Sequence, residues 1–221
     1  MNTLEALHSR KSVRAFTGRE VEPEKIRTVL EAAGCAPSGV NMQPWEVCVV
    51  GGGKKRAIED KILAAFERGE PSRMDYRYYP QEWKEPYKGR RKETGLLMYR
   101  TLGIAREDKA GQAEQWKANY RAFGAPVVLY FFMDAALETG SYLDFGMFLQ
   151  SVMLAATELG LGTCPQAALA EYPDIVREAL GVGGDKLLLC GMALGYEDVA
   201  APVNGYRTPR IPLEDFVTFY T

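Results

Sequence analysis

The chain has 221 residues, of which 47% are apolar and 25% are charged. This length and composition exclude wholesale disorder and predict one domain over residues 1–221, with a core that needs no metal or disulfide to hold it. Lysine and arginine number 27 against 29 aspartates and glutamates, which gives a net charge of −2. Because no overall positive field would hold the protein on nucleic acid or an anionic membrane, we expect any anion site to be local.

The cysteines and the start of the chain indicate the compartment. Cys35, Cys48, Cys164 and Cys190 form no C-x-x-C pair, and the single His8 leaves no histidine cluster for zinc. We therefore expect no metal and a reduced, cytoplasmic protein. The first residues lack the apolar core of a signal peptide, and the apolar stretch at 125–133 is about half the length that a bilayer requires. No membrane span is predicted.

The first third of the chain reads as helix, loop, strand and helix. Apolar residues recur at helical spacing over 23–33, with a proline at the first position. A turn-rich loop over 36–41 precedes a β-branched run at 45–50, which three glycines end. Residues 54–68 predict a further helix.

The rest of the chain mixes strands and helices without a βαβ rhythm. Helices are predicted over 94–104, 108–122 and 173–180, and buried strands over 126–133 and 186–194. The clearest helix covers 142–159, with one apolar stripe and Gly160 after it as a C-terminal cap. The stretch 160–166 reads as an irregular loop, and the proline-rich tail reads as an extended arm. The pattern favours an α+β fold.

Residues 70–93 form an insert of unusual composition. Five aromatic residues lie within twelve positions and alternate with arginines and lysines. Linkers are poor in aromatics, so this segment is predicted to pack onto something. It is either a lid that stacks flat substrates or a surface hairpin whose aromatics cover the protein. The aromatics are Tyr76, Tyr78, Tyr79, Trp83 and Tyr87.

The usual nucleotide and hydrolase motifs are absent. The run 51–55 (GGGKK) lacks the spacing of a phosphate-binding loop, and 181–184 (GVGG) follows a helix where a dinucleotide fingerprint needs a strand. Both predict turns. No serine or cysteine has a histidine partner other than His8, which disfavours a hydrolytic triad.

Four other segments carry groups suited to a ligand. Residues 10–14 (RKSVR) combine bidentate arginines, a lysine and a hydroxyl, which suit a monophosphate. Residues 37–45 (PSGVNMQPW) offer hydroxyl and amide groups for a polyol or a heteroaromatic edge. Residues 160–166 could bring backbone amides close to a ligand, and 207–212 carry two arginines. Taken singly, each segment is more typical of a turn or a solvated surface than of a ligand site.

In order and spacing, the four segments together resemble the flavin-dependent nitroreductase family. The resemblance rests on an Arg-x-Ser-x-Arg box, an A-P-S-x-x-N-x-Q-P-W loop, a long helix that ends in G-L-G with C-P following, and the terminal run 210–213 (RIPL). It implies a nitroreductase-like α+β fold with a central, mostly antiparallel sheet flanked by helices. It also implies a homodimer that exchanges C-terminal arms and binds FMN at its interface.

The resemblance also implies roles for single residues. The N-terminal box and the terminal arginines would hold the FMN phosphate and ribityl chain, with Arg14 near N1 and O2 of the ring. The 37–43 loop would come from the other subunit, and the backbone at 165–167 would approach N5 and O4. Some members have Glu-Gly in the next positions, and Ala167-Ala168 departs from that pattern, so a backbone role is expected here. The implied cofactor residues are Arg10, Lys11, Ser12, Arg14, Pro37, Ser38, Gly39, Asn41, Gln43, Pro165, Gln166, Ala167, Arg207 and Arg210.

The implied activity needs no catalytic side chain, because FMN carries the chemistry. NADH or NADPH would deliver hydride to flavin N5 and leave, and a nitroaromatic or quinone acceptor would then take its place in a ping-pong mechanism. Tyr76, Tyr78, Trp83 and Tyr87 are predicted to bind the aromatic acceptor, with nearby cations favouring anionic ones. Alternatives are a reductive dehalogenase, a flavin-fragmenting enzyme or a non-enzymatic flavin-binding redox sensor.

Overall fold

A computed structural model describes residues 1–221, in which seven helices surround four strands. The helices are α1 (Thr3–Ser9), α2 (Pro23–Ala33), α3 (Gly52–Glu67), α4 (Tyr87–Leu102), α5 (Lys109–Tyr120), α6 (Gly140–Glu158) and α7 (Pro173–Leu180). The strands are β1 (Glu46–Gly51), β2 (Val127–Asp134), β3 (Gly162–Gln166) and β4 (Lys186–Gly195).

The four strands form one antiparallel sheet in the order β1-β2-β4-β3. Side chains of β2 alternate between its two faces, as the period of a strand requires. Leu129 and Phe131 pack with α2 and α6 on one face, whereas Val128 and Tyr130 pack with α3, α5 and α7 on the other. The predicted α+β fold with a mostly antiparallel sheet flanked by helices is confirmed.

Helix α6 is the longest element on the face of the sheet where Leu129 and Phe131 lie. Phe148 stacks on Trp45 with ring centroids 4.6 Å apart and 7° between the planes, and it also meets Phe131 and Phe145 edge-on. Gly160 follows the helix at φ +73°, a conformation that glycine adopts without strain, so the predicted cap is confirmed. No helix, α6 included, has both the length and the apolar character needed to cross a bilayer.

Two predictions of secondary structure were wrong, the type of one element and the start of another. Residues 162–166 are not an irregular loop but strand β3, which pairs with β4. Gly162 and Pro165 obscured the strand, and proline is tolerated there because β3 lies at the edge of the sheet, where no ladder donor is lost. Helix α4 begins at Tyr87 rather than 94. The prediction missed its first turns because they are charged and have no apolar period. The non-helical part of the insert therefore ends at residue 86.

The N-terminal box lies beside β3. Ser12 forms a parallel bridge to Thr163, and the Val13 amide donates to the Thr163 carbonyl over 2.9 Å. A Cβ on Gly162 would lie 2.7 Å from Val13 Cγ2, so only glycine lets the two segments approach this closely. The chain that leaves β4 then returns to the same box, which brings the two ends of the sequence together.

Candidate functional site

A cavity of about 520 Å³ opens between the end of α1, the N-terminal box, α6 and the segment after β4. Two of the four segments that carry the resemblance, residues 10–14 and 207–212, meet here although they are almost 200 positions apart in sequence. The cavity is lined by Leu7, His8, Arg10, Lys11, Ser12, Arg14, Gln150, Tyr206, Arg207, Thr208 and Arg210.

The cavity holds an excess of positive charge. Lys11 pairs with Glu197 over 2.6 Å, but none of the arginines at 10, 14, 207 and 210 has a carboxylate partner. Burial, and after it the charges of Arg210 and Arg207, lower the pKa of Arg10 below its ordinary value. These cations repel one another, and a bound anion would relieve that repulsion.

Neutral acceptors hold the guanidinium groups in place. Arg14 donates to the Ser12 carbonyl over 3.3 Å and to the Tyr206 hydroxyl over 3.2 Å. Arg207 donates to the Ser9 and Arg10 carbonyls over 2.5 and 2.7 Å. Because carbonyl and hydroxyl partners leave the positive charge uncompensated, the cluster can bind a phosphate monoester through charge-assisted hydrogen bonds.

The 37–43 loop lies outside this cavity. The Gly39 amide donates to Asp144 Oδ1 over 3.1 Å, which ties the loop to α6. Val40, Asn41 and Gln43 adopt φ values of +46°, +59° and +48°, and Val40 is 96% exposed. A β-branched residue seldom holds a left-handed conformation on an open surface. None of the predicted loop residues contributes to the cavity of its own chain.

Residues 165–167 continue from β3 into a short turn. The Gln166 side chain is buried and donates to the Asn119 carbonyl over 2.9 Å, so its amide nitrogen is committed to the end of α5. A ligand contact through this nitrogen would compete with the bond, whereas the buried Oε1 of Gln166 has no hydrogen-bond partner. The backbone role of Pro165, Gln166 and Ala167 stays a prediction.

The aromatics of the insert form a continuous row. Tyr76 donates its hydroxyl to the Leu189 carbonyl over 2.7 Å, and the row continues through Tyr78 and Tyr79 to Trp83, on which Arg91 lies 4.9 Å from the ring centroid. None of these residues lines the cavity. Helix α4, however, contacts the turn at 202–204 beside it. Acceptor binding by Tyr76, Tyr78, Trp83 and Tyr87 stays a prediction.

Sequence reasoning missed three residues of the site. Glu197 neutralises Lys11, Tyr206 contacts Arg14, and the buried Asn204 bonds to residues of the N-terminal box. In the sequence Glu197 closely follows β4, and Asn204 and Tyr206 lie at the start of the proline-rich tail, where an Asn-Gly pair is typical of a turn. Only the proximity of Tyr206 to Arg207 could have drawn attention to them.

Cys164 lies under the box and is a packing residue. Its side chain is 2% exposed, and burial raises the pKa of its thiol to about 11. The thiolate is the reactive form, and the raised pKa keeps this thiol protonated at pH 8. Cys35 is exposed.

We therefore expect a thiol reagent at pH 8 to modify native Cys35 within minutes and Cys164 only after unfolding. Mass spectrometry of peptides after timed alkylation measures both rates, and Cys35→Ser should remove the fast phase. Fast alkylation of Cys164 in the native protein would contradict its assignment as a packing residue.

The chain is similar to known nitroreductases over nearly its whole length. A family model described as the Nitroreductase family matches residues 7–196. The chain is 36% identical to a 4-nitrobenzoate reductase of Pseudomonas putida, covering 96% of this chain and 92% of the relative. It is 38% identical to nitroreductase NfnB of Mycolicibacterium smegmatis, covering 96% and 90%.

Solved structures give the same result. The crystal structure of an FMN- and NADPH-dependent nitroreductase NfnB from a Sphigopyxis strain superposes with a TM-score of 0.97 at 41% identity, over the full length of both chains. The FMN-dependent NfnB of Mycobacterium smegmatis in complex with NADPH superposes with a TM-score of 0.94 at 35% identity, also over both full chains.

Proposed function

Because the chain belongs to the nitroreductase family, we propose that it is an FMN-dependent oxidoreductase that uses NADPH or NADH to reduce nitroaromatic compounds. The single observation that carries the proposal is the arginine cluster at residues 10, 14, 207 and 210, which has no carboxylate partner. Uncompensated guanidinium groups in one cavity fit a terminal phosphate such as that of FMN.

In this proposal the residues of the cavity bind the phosphate end of the cofactor. Arg10, Ser12, Arg207 and Arg210 hold the phosphate and the ribityl chain, and Arg14 lies toward the ring. When bound, FMN would supply the redox chemistry between the nicotinamide and the acceptor. A fixed cation at Arg14 stabilises the negative charge that the reduced ring carries near N1.

We further propose that a second copy of the chain completes the site. The 37–43 loop of one protomer would contact the FMN of its partner, which accounts for a strained loop that is exposed on the single chain. Leu143 and Met147 of α6 and Phe216 and Phe219 of the arm are also exposed, and such apolar side chains suit an interface. Each arm would extend onto the partner.

Leu143→Glu is expected to weaken the dimer and the retention of FMN together. Leu143 is 74% exposed on the single chain, so the change places a charge in the proposed interface without disturbing the fold of the protomer. Light scattering after gel filtration gives the mass, and absorbance near 450 nm gives the FMN content. The control Val199→Glu, at a site 86% exposed outside α1, α6 and the arm, should stay dimeric. A dimeric, FMN-loaded L143E protein would contradict this interface.

The acceptor site is the finer part of the proposal. Tyr78, Trp83 and Tyr87 would form a lid over flat acceptors, while Tyr76 anchors the insert through its bond to β4. Cations beside the lid would favour anionic nitroaromatics, and quinones would be accepted as well. Because donor and acceptor would use the same face in turn, the kinetics would be ping-pong.

The first experiment is the visible spectrum of the purified protein before and after anaerobic NADPH or NADH, with the released cofactor identified by mass. An FMN spectrum that bleaches and returns on addition of 4-nitrobenzoate or a quinone is expected. Bound FMN that bleaches and is reoxidised only by a halophenol, with halide release, would favour a dehalogenase, and FMN that never bleaches would favour a sensor. A colourless protein that cannot be reconstituted with FMN would overturn the proposal.

A further inference from the structure

Asn204 joins the two segments that form the cationic cavity. It is 3% exposed and lies in the turn after β4. Its Oδ1 accepts from the Arg14 amide over 2.8 Å, and its Nδ2 donates to the carbonyls of Ala15 and Asp198 over 2.8 and 2.9 Å. Its own carbonyl accepts from Lys11 Nζ over 2.6 Å. Asn204 thus bonds to three residues of the N-terminal segment, to Arg14 and Ala15 through its side-chain amide and to Lys11 through its main-chain carbonyl.

These bonds act against the repulsion in the cavity. The arginines on the two sides carry like charges, and only Lys11 is compensated by a carboxylate. Without a ligand, no ion pair joins residues 10–14 to residues 206–210. Hydrogen bonds to neutral groups do so, and of the residues that make them Asn204 is the most buried.

We propose that Asn204 is a positioning residue that preassembles the arginine cluster for the phosphate of the cofactor. This inference rests on the proposed function. Asn204 does not line the cavity, and it acts by fixing the backbone at Arg14 and Ala15 and the start of the segment that carries Tyr206 and Arg207. Preorganisation of this kind increases affinity because the protein loses less freedom on binding.

The test compares FMN with riboflavin, which lacks the phosphate. Asn204→Ala leaves three backbone groups without their partner. Asn204→Leu, which is similar in size, removes the same bonds without adding a charge. The apoprotein is titrated with each ligand by flavin fluorescence, and thermal unfolding is recorded in parallel. The affinity ratio of FMN to riboflavin should fall about ten-fold or more in both variants, as the loss of a buried hydrogen bond predicts.

Asp75→Asn is the matched control. Asp75 is a half-buried polar hub, bonded to Arg177 over 2.5 and 3.1 Å and to the Leu188 amide over 2.8 Å, away from the cavity. The Asp75→Asn variant should have a lower melting temperature but the same affinity ratio of FMN to riboflavin as the wild type. If Asn204 served only the fold, its variants would likewise have a lower melting temperature and an unchanged affinity ratio of FMN to riboflavin.

The outcomes separate the two proposals. An unchanged ratio in folded Asn204 variants of a protein that binds FMN overturns the positioning role and leaves the proposed function intact. If neither variant folds, Asn204 serves the fold rather than the cofactor, and the positioning role is overturned as well. A wild-type protein that does not bind FMN overturns the proposed function itself.

Discussion

Arg10→Ala is expected to weaken FMN binding about 10- to 100-fold, the largest functional effect of any single change in the cavity. The Arg10 guanidinium has only the Met153 sulfur, 4.0 Å away, as a partner, so its donors are free for a ligand. A charge-assisted, bidentate contact to phosphate contributes about 1.5–3 kcal/mol, which corresponds to this range. Fluorescence titration of the apoprotein measures the change.

Three controls identify the contact. Arg10→Lys should recover part of the affinity, because lysine keeps the charge but loses the second hydrogen bond. Riboflavin binding should be unaffected, and Arg106→Ala, an exposed change outside the cavity, should leave both ligands unchanged. Equal losses for FMN and riboflavin would place Arg10 away from the phosphate.

Phe148→Ala is expected to lower the free energy of unfolding by about 3–5 kcal/mol, the largest effect on stability among the changes considered. Phe148 is 2% exposed and contacts the rings of Trp45, Phe131 and Phe145, so its removal leaves a cavity between α6 and the sheet. Denaturant unfolding followed by circular dichroism measures the loss.

Thr28→Ala, on the exposed side of α2, is the reference and should change stability by no more than about 0.5 kcal/mol. Because Trp45 follows the 37–44 loop directly, F148A should also weaken FMN binding if that loop contacts the cofactor in the dimer. A loss below about 1 kcal/mol would mean that the aromatic cluster repacks around the gap.

The elements predicted best are those whose apolar residues follow either the period of a helix or that of a buried strand throughout. The stripe on α6 and the apolar runs of β2 and β4 are long enough to specify helix or strand without tertiary information. Strand β3 was missed because the signal that makes it a strand is its neighbour β4, not its own sequence. The start of α4 was missed because its first turns are charged on all sides.

The residues of the candidate site likewise divide into those that a sequence motif predicts and those that only the tertiary structure identifies. Arg10, Ser12, Arg14, Arg207 and Arg210 belong to motifs, and the structure brings them into one cavity. No short motif contains Asn204, because its function depends on a partner about 190 positions away in sequence. The 37–43 loop and the aromatic insert lie outside that cavity, and their assignment depends on a second chain. A single sequence predicts the chemical groups better than their assembly.

The bond between Arg14 and Asn204 also fixes an order of events during synthesis. The residues that hold the anion lie near both ends of the sequence, so the cavity cannot form until the ribosome has released the segment after β4. In the proposed function, a chain cut between residues 196 and 204 would lack Arg207 and Arg210 and would not retain FMN.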